Sequence, residues 1–213
     1  MLNRKIRSLI ICLLIVSTGY SQQLLKITPD GKRLRDTYLS MNVENLWISE
    51  HHVDWQTGMP DMPQATQGIK THCSAFVAAT CERLGIYILR PPQHGQVLLA
   101  NAQAVWLNSD DAQQAGWQKL NDDDSLYVNA QQLANEGKVV VAICKNPDHT
   151  EPGHDGLVMP EERSIPLLTQ EGPEIIMAGT HNYNYIALIK AFKNHITSWP
   201  SHEVEFFVHE VGR

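Results

Sequence analysis

Cys73-Ser-Ala-Phe-Val-Ala-Ala-Thr-Cys-Glu-Arg-Leu-Gly85 and Gly153-His154-Asp-Gly-Leu-Val-Met159 decide how this chain is read. The first stretch has small and apolar residues up to a glycine stop, the pattern of a buried helix with Ala75, Phe76, Ala79 and Leu84 on its core face. Its N-cap falls at Thr71 or His72, so Cys73 stands at the helix start. There the helix dipole and unpaired backbone N–H groups favour the thiolate. The second stretch reads as a short apolar strand led by a histidine. A histidine reaching the cysteine from a neighbouring strand can act as its base. Cys73 is therefore the expected nucleophile, with His154 as general base and then acid.

The segments around these two complete an α+β pattern. Leu34, Tyr38, Met41 and Leu46 recur near helical spacing, predicting a helix over residues 30–49. Residues 54–70 carry two prolines and two glycines and read as a loop running into the Cys73 helix. Helices are expected over 93–107 and 125–136, the latter stopped by Gly137. The period then changes: Lys138-Val-Val-Val-Ala-Ile-Cys144 is β-rich and long enough for a central strand. Strands follow at 154–159 and 174–178, separated by a polar, proline-containing connection; then come a helix at 184–193 and a closing strand at 203–209. Helices first and strands later predict helices packed on one side of an antiparallel sheet.

The N-terminus reads as a targeting signal. Arg4, Lys5 and Arg7 precede an apolar run from Leu9 to Val16, and Gly19-Tyr20-Ser21 offers a cleavage site before Gln22. The run is too short to span a bilayer, which takes about 20 residues. Residues 1–21 are thus an expected signal peptide and 22–213 a single domain with an N-terminal helical elaboration, periplasmic or secreted. Cleavage removes three basic residues and no acidic ones, moving the formal charge from −6 to −9. An acidic chain without basic clusters argues against a nucleic-acid substrate. Cys73, Cys81 and Cys144 remain, an odd number that leaves at least one free thiol. Cys81 lies too far along the helix to pair with Cys73; a Cys81–Cys144 bond and two buried free thiols both fit the spacing.

Among ten histidines, His154 stands out by following Gly153 at the start of an apolar strand. His72 points away from Cys73, because neighbouring helical side chains diverge by about 100°. Trp55, in the loop before the cysteine, is the best groove candidate among the aromatics, and His72 and Ser74 flank the nucleophile as further candidate substrate contacts. Asp122-Asp-Asp124 is a solvated helix lead-in rather than a calcium loop.

Cys-Ser-Ala-Phe-Val at 73–77, the strand at 138–144, and Gly-His at 153–154 with its strand resemble the papain-like NlpC-type peptidases and the related CHAP amidases. The resemblance covers roughly residues 55–182. The family's motif reads Asp-Cys-Ser-Gly-Phe-Val, whereas this chain has His72 before the cysteine and Ala75 for the glycine. The resemblance implies a papain-like α+β fold and hydrolysis of an amide bond, usually in peptidoglycan stem peptides, with no cofactor. In that family a polar residue on the next strand orients the histidine. Here the aligned position is Met177, which cannot do so, and His181 or Asn182 just beyond it could reach back instead.

A metal-dependent hydrolase lacks its spacing, since no His-Glu-x-x-His run exists. A catalytically silent cell-wall peptide-binding module and an acyltransferase using the same Cys–His pair both remain open. Iodoacetamide should alkylate Cys73 in preference to Cys81 and Cys144, as read by peptide mapping, and a Cys73–His154 pair would make that rate fall when His154 is removed.

Overall fold

The structure is a computed structural model that describes residues 24–212; the signal peptide expected at 1–21 lies outside them. Helix α1 (Pro29–Ser40) starts on Thr28, whose hydroxyl accepts from the Gly31 N–H at 3.1 Å, with proline in the first turn. It ends nine residues before the expected boundary of 49. Asn42, Trp47 and Glu50 take φ of +56°, +54° and +65°, which no continuing right-handed helix allows.

Helix α2 (Cys73–Arg83) has His72 as N-cap and Gly85 beyond its end at φ +71°, as its sequence predicts. Helix α3 (Leu99–Leu107) is shorter than the 93–107 reading, because Leu98 turns left-handed before it at φ +56°. The short α4 (Asp110–Gln114) and strand β1 (Gln118–Lys119) carry too few residues to show a period. Helix α5 (Leu126–Asn135), strands β2 (Val139–Cys144) and β3 (His154–Val158), and β4 (Glu174–Met177) match the sequence reading within about two residues. The connection between β3 and β4 folds a helix of its own, α6 (Ile165–Glu171), capped by Ser164. The helix expected over 184–193 is instead strand β5 (Tyr183–Ala187) followed by the single turn α7 (Leu188–Ala191). Strand β6 (Glu205–His209) ends the elements.

The six strands form one antiparallel sheet in the order β1-β6-β2-β3-β4-β5. Helices cover both faces, correcting the expectation of a one-sided sheet. Val139, Val141 and Ile143 of β2 pack with Leu34, Tyr38, Phe76 and Val77 on one side. Val140, Ala142 and Cys144 pack with Leu126, Ala130, Leu188 and Phe192 on the other. An unbroken apolar strand needs cover on both faces, and β2 is fully buried along its length. Cys81 and Cys144 belong to these opposite layers, and Cys73, Cys81 and Cys144 are all free thiols. Among the described residues no helix is long and apolar enough to cross a membrane.

Gly31 lets α1 lie against the end of α5. A Cβ there would strike the Asn135 carbonyl oxygen and come within 2.9 Å of Ile27. Gly31→Ala should therefore destabilise the fold by about 1–3 kcal/mol, the range for overpacking, read as a lower urea midpoint.

Candidate functional site

Cys73 opens α2 and is only 4% exposed. Its position depends on the turn that precedes it. His72 is buried and its Nε2–H donates to the His51 carbonyl at 2.8 Å, while burial holds its proton affinity down. That fixed hydrogen bond ties the loop at 51–52 to the helix start and leaves His72 a structural anchor rather than a substrate contact. Ser74 is buried too, and its carbonyl accepts from Gln103 Nε2 at 3.3 Å. Trp55 is half-buried against the core; its carbonyl accepts from Trp47 Nε1 at 3.0 Å, and the Arg90 guanidinium lies 5.9 Å from its ring.

What faces Cys73 is decided by the alternation of β3. In the ladder, Cys144 pairs with His154 and Ile143 with Asp155. Ile143, Leu157 and Met159 point into the layer that holds α2, so Asp155 points there as well. Cys144 and Val158 point the other way, and so does His154. The structure therefore does not bring the His154 imidazole to Cys73, which corrects the pair expected from sequence. Adjacent residues of a strand cannot face the same layer.

Asp155 takes the place expected for the histidine. Its carboxyl is fully buried, and among the described residues neither oxygen has a partner in hydrogen-bond geometry. The Cys73 thiol lies against it, close enough for each group to alter the other's proton affinity. Burial pushes the Asp155 carboxyl up to about 7, with the thiol contact pulling back. Burial likewise pushes the Cys73 thiol well up, and the Asp155 charge adds to that. The backbone amides of Asp155 and Ser74 work the other way and favour the sulfur's anion. Asp155 escaped the sequence reading, yet its signal was there: it shares the strand parity of apolar Leu157 and Met159.

His154 sits in a different environment. Its Nε2 lies 3.3 Å from Met177 Sδ, its ring stacks on His195 at 5.0 Å, and Phe192 meets it edge-on at 4.9 Å. Burial, then the neighbouring His195, lowers it to about 3, so the imidazole is neutral at ordinary pH. Met177 thus occupies the place beside the histidine that the alignment gave it, as a thioether that accepts only weakly. Its neighbour Gly153 admits no side chain, since a Cβ would come 2.5 Å from the Cys144 carbonyl oxygen and 2.6 Å from Asn101 Oδ1. An open groove runs from Thr71 past His154, Gly179 and His181 towards Lys190.

The two candidates for the orienting role divide. His181 is exposed on the rim of that groove. Asn182 is spent on structure: its Oδ1 accepts from the Gly179 N–H at 2.9 Å, and its Nδ2 donates to the Val43 and Leu46 carbonyls at 2.7 and 2.8 Å. It clamps the β4–β5 turn to the loop after α1 and does not reach His154. Among the described residues, no group of three or more His, Cys, Asp or Glu is placed to hold a metal ion.

No protein-family model matches this chain, and no curated protein matches it.

The two buried ionisable groups of β3 pull stability in opposite directions with pH. Asp155 has a folded value above its ordinary 3.8, so its contribution is intact below that and is lost as pH rises towards about 7. His154 has a folded value below its ordinary 6.5, so its contribution is intact above that and is lost as pH falls towards about 3. Asp155→Asn removes only the first. The variant should gain on wild type by up to about 4 kcal/mol between pH 4 and pH 7, measured as the difference between two urea-unfolding series.

Proposed function

We propose that this chain is an exported thiol-dependent amide hydrolase with Cys73 as its nucleophile. The observation that carries this reading is the Cys73 sulfur at the start of an 11-residue buried helix, where the backbone amides of Ser74 and Asp155 lower its proton affinity. Those donors favour a sulfur anion, and after attack on a carbonyl the same helix start can hold the oxyanion. The resemblance to NlpC-type and CHAP domains supplies the substrate class, an amide bond of a peptidoglycan stem peptide, and the leader at 1–21 the exported location. An open groove lined by His154 and His181 reaches Thr71, two residues before Cys73. Acyl transfer to an amine would use the same thioester and differs only in the group that accepts the acyl chain.

A second reading is favoured by one feature. Cys73 is nearly closed to solvent with its thiol held protonated, and His154 rests on Met177. A cell-wall peptide-binding module on this fold, with no turnover, would have that site.

Digestion of purified peptidoglycan separates the two, with soluble fragments identified by mass spectrometry. The hydrolase should release new stem-peptide fragments, and Cys73→Ala should lower their yield by at least about a thousandfold, as loss of a nucleophile does. Release undiminished in Cys73→Ala would remove Cys73 from the chemistry. Retention of the protein on peptidoglycan with no fragments from either form would favour the binding module.

A further inference from the structure

Asp155 is a charge-bearing group with no structural work to do. Among the described residues it ties no loop, caps no helix and pairs with no cation, and both its oxygens lack partners inside the apolar layer between the sheet and α2. An unpaired buried carboxyl costs several kcal/mol relative to an apolar residue of similar size. An Asn or a Leu would fill the strand position at lower cost. The Cys73 thiol at the N-terminus of α2 lies against it.

We infer that Asp155, not His154, accepts the proton of Cys73 when the sulfur attacks. The inference rests on the reading of Cys73 as a nucleophile. Geometry selects the group: a general base has to reach the proton it removes, and the parity of β3 gives that reach to Asp155 alone. His154 could replace it only by carrying its ring across the plane of a fully buried strand. Proton affinity suits the task as well, since a carboxyl lifted to about 7 is half-ionised where such a base works best.

The chemistry balances with water as the only co-reactant. The S–H bond breaks, its proton passes to an Asp155 oxygen, and the sulfur pair forms a C–S bond at the amide carbon. When the tetrahedral oxyanion collapses, the C–N bond breaks and Asp155 returns the proton to the leaving nitrogen. Water then adds to the thioester carbonyl and gives its proton to Asp155. The C–S bond breaks, and that proton restores the thiol.

Other titratable groups surround the pair. Cys81 faces Asp155 from the next turns of α2 and is pushed up beyond the ordinary range by burial and by that carboxyl. The Tyr38 hydroxyl of α1, buried and unpartnered, lies near Cys81 and stays protonated. Arg90 acts on Cys81 from the loop after α2. None of these faces Cys73 closely enough to register on its proton affinity, which leaves Asp155 as the titrating neighbour of the sulfur.

The test is the rate of iodoacetamide alkylation at Cys73 between pH 5 and pH 11, followed by peptide mapping in the full-length mature protein. Wild type should show two steps, one near neutral pH as ionised Asp155 assists the thiol and one at high pH from free thiolate. Asp155→Asn should lose the lower step and move the upper one down by at least one pH unit, because the nearby negative charge is gone. Asp155→Ser should do the same, which guards against a misfolded amide variant. His154→Ala should leave both steps within about twofold. On peptidoglycan, Asp155→Asn should lower fragment release by about 10²–10⁴-fold, the worth of a general base, even as its thiol becomes more reactive. A single step unchanged in Asp155→Asn, or a lower step lost in His154→Ala, would overturn the inference. No alkylation of Cys73 at any pH would instead overturn its reading as the nucleophile.

Discussion

The contact between the N-terminus of α2 and the second residue of β3 organises everything else in this molecule. A β-strand presents successive side chains to opposite faces, so β3 can show α2 either residue 154 or residue 155, never both. The register with β2 settles which. Ile143 faces α2 and is paired with Asp155; Cys144 faces the second layer and is paired with His154. A shift of one residue would exchange them and expose every apolar partner to the wrong layer. Leu157 and Met159, packed in the layer that holds α2, oppose that shift.

This leaves an ionisable group buried on each side of one strand, with opposite responses. Asp155 resists ionisation in an apolar layer, and His154 resists protonation between Phe192, His195 and Met177. At neutral pH the histidine is uncharged and the carboxyl is near its midpoint. Neither pairs with an opposite charge, which distinguishes them from Arg163, whose guanidinium meets both Glu171 and Glu174. Buried charges that serve only stability are paired in that way. Asp155 has no such counter-charge among the described residues.

Side-chain amides hold the ends of β3 and β4. Asn101 of α3 donates to the Glu151 carbonyl at 2.8 Å and accepts from the Asn146 N–H at 2.9 Å, fixing the loop that delivers β3. Gln131 of α5 donates to the Met159 carbonyl at 2.8 Å and accepts from the Glu174 N–H at 3.0 Å, joining the exit of β3 to the entry of β4. Asn182 does the same at the far end of β4. Each amide offers a donor and an acceptor at once, so one side chain satisfies two orphaned backbone groups where regular pairing stops. The strand pair beside Cys73 is thus anchored at both ends.

The amino-acid sequence by itself determined the helix that carries Cys73, its N-cap and its glycine stop, together with strands β2, β3 and β4. These signals are local: periodicity, caps and a run of β-branched residues. The tertiary structure alone decided that helices cover both faces, that Tyr183–Ala187 is a strand, and that Asn182 is a clamp. It alone decided which face of β3 meets the sulfur. Sequence shows that residues 154 and 155 alternate, but only the pairing of β3 with β2 and the packing of α2 on one side of that ladder say which of them Cys73 touches.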